Sequence, residues 1–210
     1  MDITAFKKFV QKEFFSAKNH HLTYHGLEHT LEVLSACDSH IKRSRVDERT
    51  ANNIRTAALL HDTGIFTDYF DHERKSVENA RAILPHWGAS SDDIEDISNM
   101  IMATHIPQKP GNLPEMVLCD SDVDYLGTGK FYSNGNRLFQ ELRHFGLVQN
   151  EEDWDRFQAR FLLKHTYHTP FALRYREPVK RRYLQEILDK YGWVAQDILS
   201  MTQDQKLKNR

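Results

Sequence analysis

Two adjacent side chains in the first third of the chain have the types and the position to bind a metal ion. The apolar run of residues 57–60 ends in His61 and Asp62, and Gly64 follows shortly after. The run favours a helix and the glycine favours its end, so an imidazole and a carboxylate lie together at the buried end of a helix. Burying such a pair without a partner is costly, and a divalent cation accepts both ligand types. Taken alone, the pair is more often a helix cap, so further ligands must support the metal.

Two more candidate ligands stand at comparable positions. His29 lies in the first turn of a helix predicted from the apolar residues between positions 31 and 37, and Asp120 follows the apolar run of residues 116–119. The chain has 12 histidines, and several of them end apolar stretches, where a ligand would be placed. In chain order the candidate ligands are therefore His29, His61, Asp62 and Asp120.

Helices must position these residues, because apolar side chains recur at helical spacing along the chain. Asp47 is the expected N-cap of the helix that ends at His61, and the cluster at residues 90–93 predicts another N-cap. Loops are expected at residues 65–70 and 107–112, around Asn134-Gly135-Asn136 and at Thr169-Pro170. Strand-like alternation and internal repeats are lacking. The prediction is an all-α fold, with helices over residues 3–17, from His29 through Cys37, and over 47–61, 71–85, 90–105, 113–127, 131–145, 154–168 and 178–191.

The composition is typical of a soluble globular protein. The 210 residues can bury a substantial core, and the formal net charge of −2 creates no field that would recruit nucleic acid or an anionic membrane. No apolar run approaches the roughly 20 residues that a membrane span needs. The N-terminal segment lacks the apolar region of a signal peptide, and two cysteines, Cys37 and Cys119, are too few for a disulfide framework. We therefore expect a cytoplasmic location.

The order His … His-Asp … Asp resembles the HD-domain superfamily of metal-dependent phosphohydrolases. The resemblance covers about residues 20–127 and rests on Tyr24-His25 before His29, on Leu59-Leu60 before the His-Asp pair, and on the Asp-rich stretch at residues 118–127. That stretch is similar to the DADxxDxxG pattern of small bacterial members, whose substrates are mostly unassigned. The resemblance implies an HD-domain helical core at residues 1–127, a helical extension at 128–200 packed on it in the same globular unit, and a polar tail at 201–210.

The resemblance also implies which residues hold the metal. A divalent cation (Mn, Mg, Co, Fe, Ni or Zn) would be bound by His29, His61, Asp62 and Asp120. Asp120 is preferred because the family's ligand is the first aspartate after the apolar run. Asp124, one turn further on the same face, is expected to orient a ligand. Asp122 is expected to point elsewhere, as a surface or capping group.

Two further histidines leave the number of metal ions open. His72 and His105 resemble positions that supply additional ligands in binuclear members, so a second cation is an alternative to a single one. An alternative is that Glu73, beside His72, supplies the additional ligand in place of His72. The residue that accepts the proton of the attacking water is also undecided. Asp62 could be both ligand and proton acceptor, Glu73 could act through a water molecule, or a metal-bound hydroxide could suffice without a general base.

Phosphate needs cationic partners as well. Lys109 flanks the loop near Asp120, and Arg174 and Arg176 belong to a basic cluster in the extension. A solvated basic face is the default interpretation of such a cluster. The competing hypothesis is that one of the two arginines reaches the mouth of the pocket, which makes Arg174, Arg176 and Lys109 the candidate substrate-binding residues.

Departures from family patterns disfavour several activities. Ile65 stands where some HD families have a glutamate that helps to activate water, and Ile65-Phe66 replaces the Glu-Asp pair of guanosine polyphosphate hydrolases. Neither that activity nor the bacterial 5′-deoxynucleotidase type is supported. The sequence after His105 also lacks the Gly-Tyr-Pro signature of cyclic-di-GMP phosphodiesterases.

The leading hypothesis is a metal-dependent phosphohydrolase that cleaves a small, nucleotide-derived phosphate ester through metal-activated water. One alternative is an HD-fold di-iron oxygenase, which needs six ligands and therefore both His72 and His105. The other is a regulatory module that binds metal and nucleotide without turnover, as Ile65 suggests. We expect no nucleic-acid polymer and no membrane as partner. The extension is expected either to close over the site or to form the surface of a homodimer.

Overall fold

The computed structural model describes residues 1–16 and 21–200, and every regular element in these two ranges is helical. The all-α prediction is confirmed. None of the helices in these ranges is long and apolar enough to cross a membrane. The predicted polar tail at 201–210 lies outside the described residues.

The α-helices are α1 (Ile3–Ser16), α2 (Leu27–Ser44), α3 (Glu48–Leu60), α4 (His72–Ile83), α5 (Ser91–Ala103), α6 (Leu113–Asp122), α7 (Phe131–His144), α8 (Glu151–Lys164), α9 (Pro170–Tyr175), α10 (Glu177–Tyr191) and α11 (Ala195–Ser200).

The helices begin where side chains can cap them. The Asp47 carboxylate accepts the backbone N–H of Thr50 at 2.9 Å and starts α3, as predicted. Ser90 and Asp93 form a reciprocal capping box at the start of α5. Such caps satisfy backbone N–H groups that the first turn leaves unpaired. The helix starts can therefore be predicted from the capping residues in the sequence.

Two local predictions were wrong. Thr169-Pro170 does not form a loop, because the Thr169 hydroxyl caps the N–H of Ala172 at 3.2 Å and the proline occupies the first turn of α9. The residues around Gly135, predicted as a loop, lie inside α7. A Cβ atom at Gly135 would lie 3.1 Å from the side-chain nitrogen of Gln158, so the glycine lets α7 approach α8 closely. The short helix α11 was not predicted at all.

Helix α3 is the centre of the larger hydrophobic core, which α1 to α6 build together. Ile54 and the run from Ala57 through Leu60 are at most 1% exposed. Helices α1, α2, α5 and α6 all pack against α3. The C-terminal end of α3 therefore opens into the interior of the protein rather than into solvent.

A second core joins the C-terminal helices to the end of α6. It contains Leu126, Phe131 and Tyr183, and the two aromatic rings stack at 4.2 Å between centroids. A 3-10 turn at Asp124–Gly127 links the two cores, because it follows α6 and packs against α7 and α10. The C-terminal helices thus pack against the segment that follows α6 and stabilise its end.

Two glycines permit close approaches that position the site. A Cβ atom at Gly64 would lie 2.1 Å from the carbonyl oxygen of His72, so only glycine lets the turn after α3 pack against the start of α4. Its N–H donates to the Ser76 hydroxyl at 2.8 Å. A Cβ atom at Gly127 would lie 2.5 to 2.7 Å from the Cβ, Cα and carbonyl oxygen of Arg176. Backbone atoms cannot give way as the end of a side chain can, so both contacts are rigid.

Gly127 has a matched control in the same segment. Gly129 is exposed, and a Cβ atom there would meet nothing within 4 Å. We expect Gly127→Ala to lower the free energy of unfolding by about 1–3 kcal/mol through overpacking, whereas Gly129→Ala should change it by less than about 1 kcal/mol. Urea unfolding followed by circular dichroism measures both. Equal stability of the two variants would contradict the close approach of the 3-10 turn to Arg176.

Candidate metal centre

Three helices bring a buried cluster of two histidines and two aspartates together. His29 projects from the first turn of α2, His61 and Asp62 follow the last residue of α3, and Asp122 is the last residue of α6. His29, His61 and Asp62 are buried, at 2%, 0% and 4% exposure. The Asp122 side chain is 18% exposed, so the cluster opens to solvent on the Asp122 side.

The polar atoms of the cluster converge on one point. The Nε2 atoms of His29 and His61 are 3.3 Å apart. An oxygen of Asp62 lies 3.3 Å from the first of these nitrogens and 3.1 Å from the second. An oxygen of Asp122 lies 3.1 Å and 3.5 Å from the same two atoms. One ligand atom each of His29, His61 and Asp122 fall within 4.8 Å of one another, a spacing that can hold a metal ion.

Backbone contacts fix the orientation of the ligands. The Nδ1 atom of His61 lies 2.9 Å from the carbonyl oxygen of Ala58, and donation from Nδ1 leaves Nε2 unprotonated in the neutral ring. The Oδ2 atom of Asp62 is buried, and its contacts with the Nε2 atoms of His29 and His61 lack good hydrogen-bond geometry. Such an oxygen is rare in a folded protein and needs a cationic partner. The donor set thus fits a divalent cation in its chemistry as well as in its spacing.

The four groups shift one another's protonation. Burial disfavours the charged imidazoles, but hydrogen bonding to Asp122 and Asp62 outweighs it and raises the pKa of His29. For His61, the charge of Asp62 outweighs burial and raises the pKa well above its ordinary value. Burial is likewise overcome for the carboxylates: His61 and His29 hold the pKa values of Asp62 and Asp122 below their usual range. A cation that binds here must therefore displace protons from the imidazoles.

The structure corrects the choice of aspartate on α6. Asp120 is completely buried, and its two oxygens accept the backbone N–H groups of His168 and Thr169 at 2.8 and 2.7 Å. Residues two apart on a helix point about 200° from each other, so Asp120 and Asp122 cannot both face the cluster. The prediction that Asp122 points elsewhere is wrong: it contacts both histidines, and Asp120 does not join them.

Asp124 also has a different partner from the one expected. Its carboxylate binds Arg176 with two contacts, 2.6 Å from Nε and 3.3 Å from Nη2. This ion pair joins the 3-10 turn after α6 to the start of α10. Asp124 therefore holds an arginine in place, and the structure shows no contact between it and the cluster residues.

His72 and Glu73 lie beside the cluster at the start of α4. The Nε2 atom of His72 is 3.7 Å from an Asp62 oxygen and 3.6 Å from a Glu73 oxygen. Its Nδ1 atom lies 3.0 Å from the carbonyl oxygen of Tyr69. Glu73 is 6% exposed, and its Oε2 atom has no hydrogen-bond partner. His72 thus lies next to Asp62, and Glu73 lies next to His72.

His105 is not part of the buried cluster. Helix α5 ends at Ala103, Thr104 turns its hydroxyl back onto the carbonyl oxygen of Ile101, and His105 is exposed. The apolar run before it was misleading, because the helix ends before it reaches His105. A ligand set that requires both His72 and His105 is therefore not assembled.

Only one of the three predicted substrate-binding cations lines a cavity next to the cluster. Arg176 lines a cavity of about 430 Å³ that also touches His29 and Asp122. Lys109 and Arg174 are exposed, and the Arg174 guanidinium lies over the ring of Tyr175. Of the two arginines, Arg176 therefore fits the hypothesis that one of them reaches the pocket, and Arg174 does not.

A buried glutamate from α7 supports the site and was missed. Glu141 is completely buried and accepts the backbone N–H groups of Tyr24 and His25 at 2.8 and 3.1 Å. It also contacts the His25 ring and the Tyr69 hydroxyl. The His25 ring centroid is 5.9 Å from that of His29. The pairing of residues more than a hundred positions apart left no local signal in the sequence.

The fold and the cluster define an all-α protein with a candidate divalent-metal centre of histidine and aspartate. Residues 26–126, which contain all four cluster residues, match the family model of the HD domain. This segment is therefore an HD domain, and the match supports membership of the HD-domain superfamily of metal-dependent phosphohydrolases. No curated protein and no solved structure matches the chain.

The two aspartates of α6 make a matched pair of variants. We expect Asp122→Ala to weaken binding of Mn²⁺ by more than about 100-fold, since even residues that merely orient a ligand contribute 10- to 100-fold. Asp120→Ala should bind Mn²⁺ nearly as the wild type does, but its unfolding free energy should fall by about 1–3 kcal/mol, because two backbone donors lose their acceptor. Titration calorimetry and urea unfolding measure the two properties. The reverse pattern would restore Asp120 as the ligand.

Proposed function

We propose that the chain is a metal-dependent phosphohydrolase that cleaves a small phosphate ester, nucleotide-derived, with water as the nucleophile. The observation that carries the proposal is the convergence of His29, His61, Asp62 and Asp122 on one point that is open to a cavity. The proposal also takes support from membership of the HD-domain superfamily.

The four residues of the cluster would hold one divalent cation. Two imidazole nitrogens and two carboxylate oxygens suit Mn, Mg, Co, Fe, Ni or Zn to different degrees, with the nitrogens favouring the transition metals. When bound, such an ion lowers the pKa of coordinated water and neutralises charge on a phosphoryl oxygen. The two negative charges of Asp62 and Asp122 would balance the charge of a divalent ion. The occupied site would then be close to neutral and would not repel an anionic substrate.

Glu73 or His72 would take a proton from the attacking water. The free Oε2 atom of Glu73 is buried and is available as an acceptor. The adjacent His72 imidazole lies between Glu73 and Asp62, within 3.7 Å of both carboxylates. Glu73 therefore replaces the missing carboxylate at position 65, where Ile65 is 5% exposed and carries no proton acceptor.

We infer that His25, whose ring lies beside those of His29 and His72, would act as the proton donor. Glu141 contacts the Nδ1 atom and fixes the ring, whose centroid lies 5.7 Å from that of His72. The side chain of His25 is 18% exposed, so the ring can meet a substrate that enters from solvent. In this arrangement the ring would donate its other N–H to the leaving oxygen of the ester, and Glu141 acts as a positioning residue.

A second candidate is a module that binds metal and nucleotide without turnover, which the buried, apolar Ile65 favours. We also propose a cytoplasmic location and a phosphorylated small molecule as the partner, with residues 128–200 forming either a cover of the site or a homodimer surface. The net charge of −2 supports a small ligand over a nucleic-acid polymer or a membrane.

Turnover can be tested with a panel of nucleotides and sugar phosphates in the presence of Mn²⁺, Mg²⁺, Co²⁺ or EDTA. We expect phosphate release that needs a metal ion and falls to background in Asp62→Ala, because the variant loses a ligand and the charge that balances the cation. Asp92→Ala, at an exposed position in the first turn of α5, is the control and should retain full activity. Metal-dependent release that survives in Asp62→Ala would overturn the proposal, and metal binding without release would favour the second candidate.

A further inference from the structure

The end of α7 contacts both of the loops that border the metal cluster. Glu141 and Phe145 lie four residues apart at this end and therefore on the same side of the helix. Glu141 accepts the backbone N–H groups of Tyr24 and His25 in the loop before α2. Phe145 stacks on Tyr69 in the loop before α4, with 3.9 Å between the ring centroids. One helix from outside the residues that match the HD-domain model thus holds both loops.

Glu141 uses both of its carboxylate oxygens on these loops. Its Oε2 atom accepts the two backbone N–H groups, at 2.8 and 3.1 Å. Its Oε1 atom contacts Nδ1 of His25 and also accepts the Tyr69 hydroxyl at 3.1 Å. A carboxylate accepts about four hydrogen bonds in total, so all of its acceptor sites are occupied. Because Glu141 is completely buried and fully bonded, it is a rigid anchor for the groups around it.

Tyr69 connects this anchor to His72. The backbone carbonyl oxygen of Tyr69 lies 3.0 Å from Nδ1 of His72. A carbonyl oxygen can only accept, so in the neutral ring this contact places the proton on Nδ1 and leaves Nε2 without one. That Nε2 atom lies 3.7 Å from Oδ1 of Asp62 and 3.6 Å from Oε1 of Glu73. The position of Tyr69 therefore sets both the tautomer of His72 and the direction of its second nitrogen.

The hydroxyl of Tyr69 has a role that packing does not require. The ring is half-buried and already stacks on Phe145, and a phenylalanine at position 69 would keep that contact. Burial and the charge of Glu141 both raise the pKa of Tyr69, so the hydroxyl stays protonated at neutral pH and remains a donor. A hydrogen bond to a charged acceptor is stronger and more directional than one between neutral groups. The hydroxyl thus fixes the loop before α4 against α7.

We propose that Tyr69 is a positioning residue, which uses its hydroxyl on Glu141 and its carbonyl oxygen on Nδ1 to hold His72 in place relative to His25. The ring centroids of the two histidines are 5.7 Å apart, and the Glu141 carboxylate is the anchor that they share. The effect on turnover rests on the proposed function, in which both histidines transfer protons. The fixed tautomer of His72 does not rest on it.

Substitution of Tyr69 by phenylalanine removes the hydroxyl and keeps the stacked ring. We expect Tyr69→Phe to lower kcat for the Mn²⁺-dependent hydrolysis of p-nitrophenyl phosphate by about 10-fold, with KM within about twofold, because the hydroxyl orients His72 and does not bind substrate. Tyr132→Phe is the matched control, since it removes an exposed hydroxyl that donates to Glu186 from the first turn of α7. Its kcat should stay within about twofold of the wild type.

The tautomer of His72 gives a second measurement, which needs neither metal nor turnover. Nitrogen-15 NMR of the histidine side chains in the metal-free protein, at about pH 9 where an ordinary imidazole is neutral, distinguishes the two tautomers. His72→Ala identifies the signal. We expect only the Nδ1–H form in the wild type and in Tyr132→Phe, and a mixture with the Nε2–H form in Tyr69→Phe. A role of Tyr69 in packing alone would leave the tautomer unchanged.

The outcomes separate this inference from the proposed function. In an active protein, Tyr69→Phe must change both kcat and the His72 tautomer, and a change in only one of them overturns the inference. An Nε2–H form in the wild type, or the same single tautomer in Tyr69→Phe, overturns it whether or not phosphate is released. A tautomer that depends on the Tyr69 hydroxyl in a protein without any phosphate release supports the positioning of His72 and contradicts the phosphohydrolase.

Discussion

The structure depends on the burial of two ionisable side chains at the end of its most buried helix. Neighbouring helices bury the C-terminal half of α3, so His61 and Asp62 leave it inside the protein. Isolated charges in such a place are strongly unfavourable, and the surrounding elements must supply partners. Helix α2 supplies His29 and helix α6 supplies Asp122, each from one of its ends. Both helices pack against α3, and their packing fixes the distances within the cluster.

The C-terminal half completes this arrangement from outside the residues that match the HD-domain model. Glu141 holds the loop before α2 by its backbone and by His25. Asp120 receives the backbone N–H groups at the start of α9, and Arg176 binds Asp124. These contacts join α7 and the segments before α9 and α10 to the loop before α2, to α6 and to the 3-10 turn after α6. Residues beyond position 127 therefore support the site, and Lys130, Phe171 and Arg176 line the cavity beside it.

The three aspartates at the end of α6 show how position decides chemical role. Asp120 and Asp122 are two residues apart on α6 and point in nearly opposite directions, and Asp124 lies in the 3-10 turn that follows. Asp122 meets two imidazoles, Asp120 meets two backbone N–H groups, and Asp124 meets a guanidinium. One residue type thus serves as a candidate metal ligand, a structural anchor and an ion-pair partner within five positions of the chain.

Much of the fold could be predicted from the sequence, because helix starts have local causes. Asp47 and Ser90 act as the N-caps that their sequence context indicated. The pairing of His29 with His61 and Asp62 also followed from local pattern and family resemblance. The register at the end of α6 could not be predicted, because the apolar residues before Asp120 are buried on several sides and mark no single face. The exposure of His105 and the reach of Glu141 depend on tertiary packing, which no local pattern encodes.

The most direct test of the account is to locate Mn²⁺ by anomalous scattering in a crystal of the protein. The account predicts a peak at about 2.0–2.3 Å from Nε2 of His29 and His61 and from oxygens of Asp62 and Asp122. A peak bound by Asp120 or His105, or an ordered Mn²⁺ that avoids the two histidines, would contradict the central claim that α2, α3 and α6 converge to build a metal centre.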